Sequence, residues 1–316
     1  MCDAFTVLTQ DPTETRARQW LRRLRALRPA QPGGASVVQT NLLQGLREIG
    51  QPFRWNPHPA RVTPHVGVLT NVRALRWAIA AKRAGTITRL VAGPNLVVTP
   101  LDEARILCAP EIDRVLTPSR WVSDFYRALV PELAGKLAEW PIGVDPAYWS
   151  PAEPRVPRDD FLVYQKLEPH DAALAERVAA ELERQHLRYR RVIYGAYTPH
   201  AYRAALRSCR ALIFLSASES QGIALFEAWA CDVPVLAWDR GTRVIANHTV
   251  ACSSAPYLTP ATGTTFNDTD DLGRAIETFC QRTPQFSPRA SILAQFTLAH
   301  SARAYARELR GATPHE

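Results

Sequence analysis

Residues 211–238 constrain the fold of this chain more tightly than any other stretch. Ala211-Leu212-Ile213-Phe214-Leu215 is an apolar run that reads as a buried strand. The small polar segment Ser216-Ala217-Ser218-Glu219-Ser220-Gln221 follows, and a helix opens near Gly222. Pro234 closes that helix and leads into a second apolar run, Val235-Leu236-Ala237-Trp238. Strand, polar turn, helix and strand make a βαβ unit, whose ligand site lies at the carboxyl end of the first strand. Free backbone N–H groups at a helix start favour a phosphate there. Two carboxylates bracket that start, Glu219 before it and Glu227 on it.

The spacing limits what the two glutamates can do. Eight helical steps rise about 12 Å, too far for both to hold one metal ion. They can instead grip the two ends of an elongated ligand with a diphosphate at its middle, which is the shape of a nucleotide sugar. The plainer alternative makes Glu219 a buried cap and Glu227 a surface helix carboxylate, and an arbitrary pair at this spacing would be read that way. The preceding strand, the Gly222 turn and the following Ala230-Cys231-Asp232-Val233-Pro234 shift the balance toward the ligand.

With these residues in hand, the chain resembles the retaining glycosyltransferases of the GT-B fold, the family-4-like group with an E-x7-E signature before a helix and a Val-Pro-Val strand. A second match is Arg114-Val115-Leu116-Thr117-Pro118-Ser119-Arg120-Trp121, with Trp140-Pro141-Ile142-Gly143-Val144-Asp145 and Trp149-Ser150-Pro151 downstream. It is similar to the end of that family's first domain and the linker out of it. The resemblance runs from about residue 113 to the end and is weaker before. It implies α/β architecture, with two Rossmann-like domains facing each other across a cleft. It also implies that Glu219 contacts donor-sugar hydroxyls and Glu227 the ribose. The diphosphate would then be held by the backbone of Gly222-Ile223-Ala224-Leu225.

The chain departs from the family pattern at several positions. Ser220-Gln221 stands where Gly-Phe is usual, Asp232 where glycine is common, and Gln165-Lys166-Leu167 where Gly-Arg-Leu is common. The lysine usual a few residues later is missing, with His170 the nearest substitute. Lys166 ends an apolar strand, at the sheet edge where α/β folds bind ligands. There a lysine can neutralise the β-phosphate of a departing nucleoside diphosphate, against the alternative of a solvated strand-end residue. Tyr194, in Tyr194-Gly195-Ala196-Tyr197, ends another strand near where a nucleotide base can stack.

Length and charge frame the rest. A chain of 316 residues can bury a sizeable core and suits two domains. Its net charge is +8, and residues 1–150 carry 19 Lys+Arg against 12 Asp+Glu. A basic first half suggests an anionic partner such as a phospholipid surface or a lipid-diphosphate acceptor. Nucleic acid fits the charge too, but no recognised motif supports it. No apolar run reaches the ~18 residues of a membrane span, and the first ten residues lack a secretory pattern. Six scattered cysteines without a C-x2-C pair suit reduced thiols in a cytosol, with Cys209 and Cys231 as core residues.

Along the chain, Phe5 to Thr9 reads as an opening strand. Arg16 to Arg28 reads as a helix with an apolar stripe of Trp20, Leu21, Leu24 and Leu27 amid six arginines, suited to an anionic membrane surface or to the core. Gly33-Gly34 breaks the chain before a helix from Ser36 to Ile49. In the resembling family such a turn approaches the donor phosphates, which implies a donor-side role for Gly34. Short apolar runs at 66–69, 90–92 and 115–116, with a helix from Val72 to Arg83 between them, predict a parallel sheet. Pro146, Pro151, Pro154 and Pro157 mark a linker. The second domain begins at Phe161 and reaches a helix over Asp270–Phe279, with Asp268-Thr269-Asp270-Asp271 as its polar cap. Helices near Ser291–Gln295 and Thr297–Leu309 close the chain.

The expected organisation is an acceptor-side domain over 1–146 and a donor-binding domain over 147–296, with a helix at 297–312 crossing back onto the first. The expected activity is transfer of a sugar from a nucleotide diphosphate sugar to a carbohydrate or lipid-linked acceptor with retention. No cofactor and no metal are expected, and the location is cytoplasmic, peripheral to the inner face of the membrane. Two rivals remain. A glycosidase would need its carboxylates facing each other across one bond, which helical spacing opposes. A non-catalytic nucleotide-sugar-binding subunit is kept open by Ser220-Gln221 and Asp232.

Overall fold

A computed structural model describes residues 4–14, 33–154, 156–267 and 270–311. The helix expected over Arg16–Arg28 lies outside the described residues, as do Cys2, Asp268 and Thr269. The chain divides into two compact units, Met1–Gly143 with Leu298–Glu316, and Val144–Thr297.

In the first unit the described strands are β1 (Phe5–Leu8), β2 (Phe53–Trp55), β3 (His65–Val68), β4 (Arg89–Ala92), β5 (Arg114–Thr117) and β6 (Leu137–Glu139). They form a parallel sheet in the order β2-β1-β3-β4-β5-β6. β1 is buried at all four positions, as a strand covered on both faces must be. The helix Val72–Arg83 forms where expected, because Asn71 accepts a hydrogen bond from the Ala74 N–H at 3.0 Å. Ala74, Leu75, Ala78 and Ile79 make its buried stripe.

The last helix, Leu298–Arg310, belongs to this unit and lies close against the helix Gly34–Glu48. A Cβ at Gly45 would stand 2.5 Å from the Leu298 carbonyl oxygen, so only glycine lets the two backbones approach this closely. Trp140 Nε1 donates to the Ser301 carbonyl at 2.9 Å, and the Tyr305 phenol lies directly over Gly67 of β3.

In the second unit the described strands are β7 (Asp159–Lys166), β8 (Tyr189–Ile193), β9 (Cys209–Ser216), β10 (Val235–Trp238) and β13 (Gly263–Phe266), in the order β13-β10-β9-β7-β8. All neighbours are parallel. β9 is the central strand and shows why an unbroken apolar run was needed. Leu212 and Phe214 enter a core with Trp229 and Val235, while Ala211, Ile213 and Leu215 enter another with Val178 and Phe279. Each fully buried side chain of this size contributes about 1.5–3 kcal/mol. A separate antiparallel hairpin, β11 (Thr242–Ile245) with β12 (His248–Ala251), follows β10.

Three local details differ from the sequence expectation. The helix expected from Ser36 starts at Gly34, with Gly33 at the cap position and no side-chain cap bond. Asp271, before the helix Leu272–Arg282, does not cap it through its side chain. Asp271, at the cap position, has φ −97° and ψ 10° rather than the extended backbone that turns a cap carboxylate onto the helix. Asp270 instead pairs with Arg177 at 3.1 Å. The helix Ile223–Ala230 ends four residues before Pro234, because Asp232 turns left-handed at φ 59°. Its N–H bonds the Trp229 carbonyl and the Val233 N–H bonds the Ala228 carbonyl, a closure that usually takes glycine. Aspartate is among the few other residues that tolerate it.

Candidate functional site

Register brings the site together. β7 and β9 pair so that Lys166 stands opposite Ser216, both at their strands' carboxyl ends, and Gln165 stands opposite Ile193 of β8. Beyond these ends lies a cavity of about 680 Å³ lined by Lys166, Glu168, Tyr194, Ser216, Ser218 and Arg243, among others. It occupies the carboxyl edge of the sheet, where α/β folds bind ligands.

Lys166 Nζ donates to both carboxylate oxygens of Glu219, at 2.8 and 3.0 Å, and stands 4.8 Å from the centre of the Tyr194 ring. Ser216 Oγ donates to the same carboxylate at 2.9 Å, and the Glu219 N–H bonds the Ser253 carbonyl at 2.9 Å. The Glu219 side chain is only 11% exposed, against 35% for Lys166. The carboxylate is therefore oriented by three hydrogen bonds from two donors, Lys166 Nζ and Ser216 Oγ, while the ammonium keeps an open side toward the cavity.

The helix start follows. Gly222 has φ +83°, and a Cβ there would come within 2.8 Å of Leu225 Cδ1, so the turn requires glycine. Its carbonyl accepts from the Leu225 N–H at 2.9 Å and the Phe226 N–H at 3.3 Å. Leu225 thus has its amide engaged and its side chain in the core. Ile223 and Ala224, both partly exposed, carry N–H groups that helix geometry leaves without an intrahelical acceptor. Tyr202 Oη donates to the Ala224 carbonyl at 3.0 Å and pins this turn to the helix Pro199–Ser208.

Glu227 lies one turn further along. Among the described residues no side chain donates a hydrogen bond to its carboxyl, and burial pushes its pKa up to about 8. The residue as a whole keeps partial exposure. Glu227 acts electrostatically on the phenols of Tyr164, Tyr197 and Tyr202, which burial also holds above their ordinary range. Burial therefore favours the protonated form of Glu227 more than it would for an exposed carboxylate. Ligand hydroxyl groups donating to the carboxylate would favour its ionised form.

Lys166 thus touches both Glu219 and Tyr194, although Glu219 itself does not line the cavity. Glu227 and the Gly222–Leu225 turn sit on the next element and do not line the cavity. Gly34 belongs to the other unit, where it heads the exposed start of its helix with nothing within 4 Å of a Cβ placed there. His170, the nearest substitute for the missing lysine, is largely exposed and does not line the Lys166 cavity.

The sequence reading missed Arg243 and its hairpin. Arg243 donates to Ser218 Oγ at 3.0 Å and pairs with Glu168. The signal was present as two short β-rich runs, Thr242–Ile245 and His248–Ala251, around the two-residue turn Ala246-Asn247. Both turn residues take positive φ, 46° and 66°, as tight hairpins require.

Five cysteines among the described residues are free thiols, and Cys209 and Cys231 are buried. Among the described residues no group of three His, Cys, Asp or Glu is placed to hold a metal ion. Within the same residues no helix is long and apolar enough to cross a membrane.

Comparison with known proteins bears on the fold. No curated protein matches the chain. Among solved structures, the lipopolysaccharide outer core galactosyltransferase WaaB in its apo form is similar at TM-score 0.62 and 12% identity, covering 98% of this chain and 99% of that one. A glycosyltransferase from Rickettsia africae is similar at 0.60 and 12%, covering 98% and 100%. The sucrose-phosphate synthase from Thermosynechococcus elongatus is similar at 0.53 and 15%, covering 98% and 99%. Residues 169–281, which include Glu219, Glu227 and Arg243, match the family model of glycosyl transferases group 1. The chain therefore carries two Rossmann-like α/β units in the GT-B arrangement of secondary structure, with a group 1 glycosyltransferase match over residues 169–281, which leaves out Lys166.

Proposed function

We propose that this protein transfers a sugar from a nucleotide diphosphate sugar to an acceptor hydroxyl with retention of configuration, in surface polysaccharide or glycolipid synthesis in the cytoplasm. In this reading residues 147–296 bind the donor and residues 1–146 serve the acceptor. The observation that carries it is the oriented Glu219 carboxylate paired with Lys166 at the carboxyl edge of the sheet, beside a glycine-opened helix start. Glu219 orients the sugar hydroxyls. The N–H groups of Ile223 and Ala224, with Lys166, stabilise the diphosphate as the bond between the sugar's anomeric carbon and the β-phosphate oxygen breaks. The acceptor oxygen bonds to that carbon on the same face, and its proton passes to the departing phosphate. Glu227 ionises as the ribose hydroxyls replace the water it lacks.

The test is turnover with a panel of UDP-, GDP- and ADP-sugars, read as free nucleoside diphosphate with and without chelator. The expected result is release with one donor class, unaffected by chelator. No release with any donor, in the presence of varied carbohydrate and lipid-linked acceptors, overturns the proposal. Rescue by added magnesium or manganese would overturn its metal independence. A second reading, a nucleotide-sugar-binding subunit without turnover, is favoured by one observation: Lys166 and Arg243 are both already paired with carboxylates. Tight nucleotide binding without turnover would select it.

A further inference from the structure

We propose that Arg243, delivered by the β11–β12 hairpin, is the second cation that binds the donor diphosphate, and that Glu168 competes with the diphosphate for it. The inference rests on the reading of the Lys166 cavity as a nucleotide-diphosphate site. A diphosphate brings at least two negative charges into a partly desolvated cleft, and one lysine already paired with a carboxylate does not balance them.

Arg243 meets the requirement on three counts. It lines the same cavity as Lys166 and Ser216. Strand alternation turns it inward, since Arg243 and Ile245 are partly buried while Thr242 and Val244 are exposed. Its guanidinium is directed by Ser218 Oγ at 3.0 Å, on the segment that joins β9 to the helix start. An arginine fork is also the group that matches two phosphate oxygens at once.

The other charged groups around the cavity do not serve. Arg191 is engaged by both oxygens of Glu176 at 2.6 and 2.9 Å. His170 lies in the adjoining groove beside Arg240. Arg240 itself is stacked 4.7 Å over the Trp238 ring and held by both oxygens of Asp171, at 3.3 and 3.4 Å. Glu168, paired with Arg243, differs from the Asp171 that holds Arg240, because its side chain is 44% exposed against 11%. A diphosphate can therefore displace it into solvent at small cost. The missing lysine of the resembling family is thus replaced from a hairpin some seventy-five positions further along the chain.

The experiment titrates the full chain with UDP, GDP and ADP and with the matching monophosphates, by calorimetry. The wild type is expected to bind one nucleoside diphosphate. Arg243→Ala is expected to weaken that binding about ten- to a hundredfold, with the monophosphate affected far less and Arg243→Lys recovering part of the loss. Glu168→Gln, which keeps the shape but removes the competing charge, is expected to tighten diphosphate binding several-fold, a gain that misfolding cannot imitate. If Arg243→Ala leaves the diphosphate affinity within twofold while Lys166→Ala lowers it, the assignment of Arg243 is overturned and the site reading stands. If Glu168→Gln weakens binding, the competition is overturned. Absence of nucleoside diphosphate binding by the wild type overturns the site reading and this proposal with it.

Discussion

Replacing Glu227 with glutamine should stabilise the protein at alkaline pH while impairing its function. The folded protein raises this carboxyl from an ordinary 4.5 to about 8 through burial alone. Each tenfold change in an ionisation constant is ~1.36 kcal/mol, so full ionisation of the buried group costs on the order of 5 kcal/mol. Glu227 keeps part of its surface in solvent, and we take about 2 kcal/mol as the expected effect. The sign follows from proton counting. Between pH 4.5 and about 8 the folded state binds more protons at this group than the unfolded chain does. Its contribution to stability therefore falls as pH rises through that window and is flat above it. Glu227→Gln removes the fall. Urea unfolding should give nearly equal stabilities for wild type and variant at pH 4 and a variant more stable by about 2 kcal/mol at pH 8.5. A difference of the same size at both pH values would falsify the argument, because a packing change carries no such pH dependence. The variant should also bind its nucleoside diphosphate more weakly, the expected trade-off where a site carries an uncompensated buried group.

Further outcomes follow from single contacts. Lys166→Ala removes the Nζ that donates to both Glu219 oxygens and should lower nucleotide-sugar turnover ten- to a hundredfold, whereas unchanged turnover would remove Lys166 from the site. Gly67→Ala should cost about 1–3 kcal/mol, since the new Cβ would run into the Tyr305 phenol and stand 2.8 Å from its Cζ. Tyr305→Phe in that background should recover part of the loss, because the phenol oxygen has no hydrogen-bond partner among the described residues; no recovery in thermal or urea unfolding would place the strain elsewhere. For the Arg16–Arg28 segment, the sequence predicts co-sedimentation with anionic vesicles that weakens with salt and with Arg22, Arg23 and Arg25 changed to Glu. Binding indifferent to both would return the segment to the core.

The βαβ unit, the parallel α/β class and the strand-end position of Lys166 were legible in the sequence, for a simple reason. A strand buried on both faces needs an unbroken apolar run, and a left-handed turn into a helix needs a glycine, so Leu212–Leu215 and Gly222 announce themselves locally. Glu219 and Glu227 stood out only through their setting, the preceding strand, the Gly222 turn and the Ala230–Pro234 run that follows. What sequence order could not supply was register and neighbourhood. Only the pairing of β7 with β9 sets Lys166 against Ser216 and within reach of Glu219, fifty-three positions away. Only the hairpin brings Arg243 to the same cavity, and only burial in the folded unit raises the Glu227 carboxyl above its ordinary range. Periodicity reports which face a residue presents to the core, whereas the partner across that face is chosen by contacts between segments far apart in the chain. Charge state and ion pairing depend on that partner, and so they were decided by the tertiary structure alone.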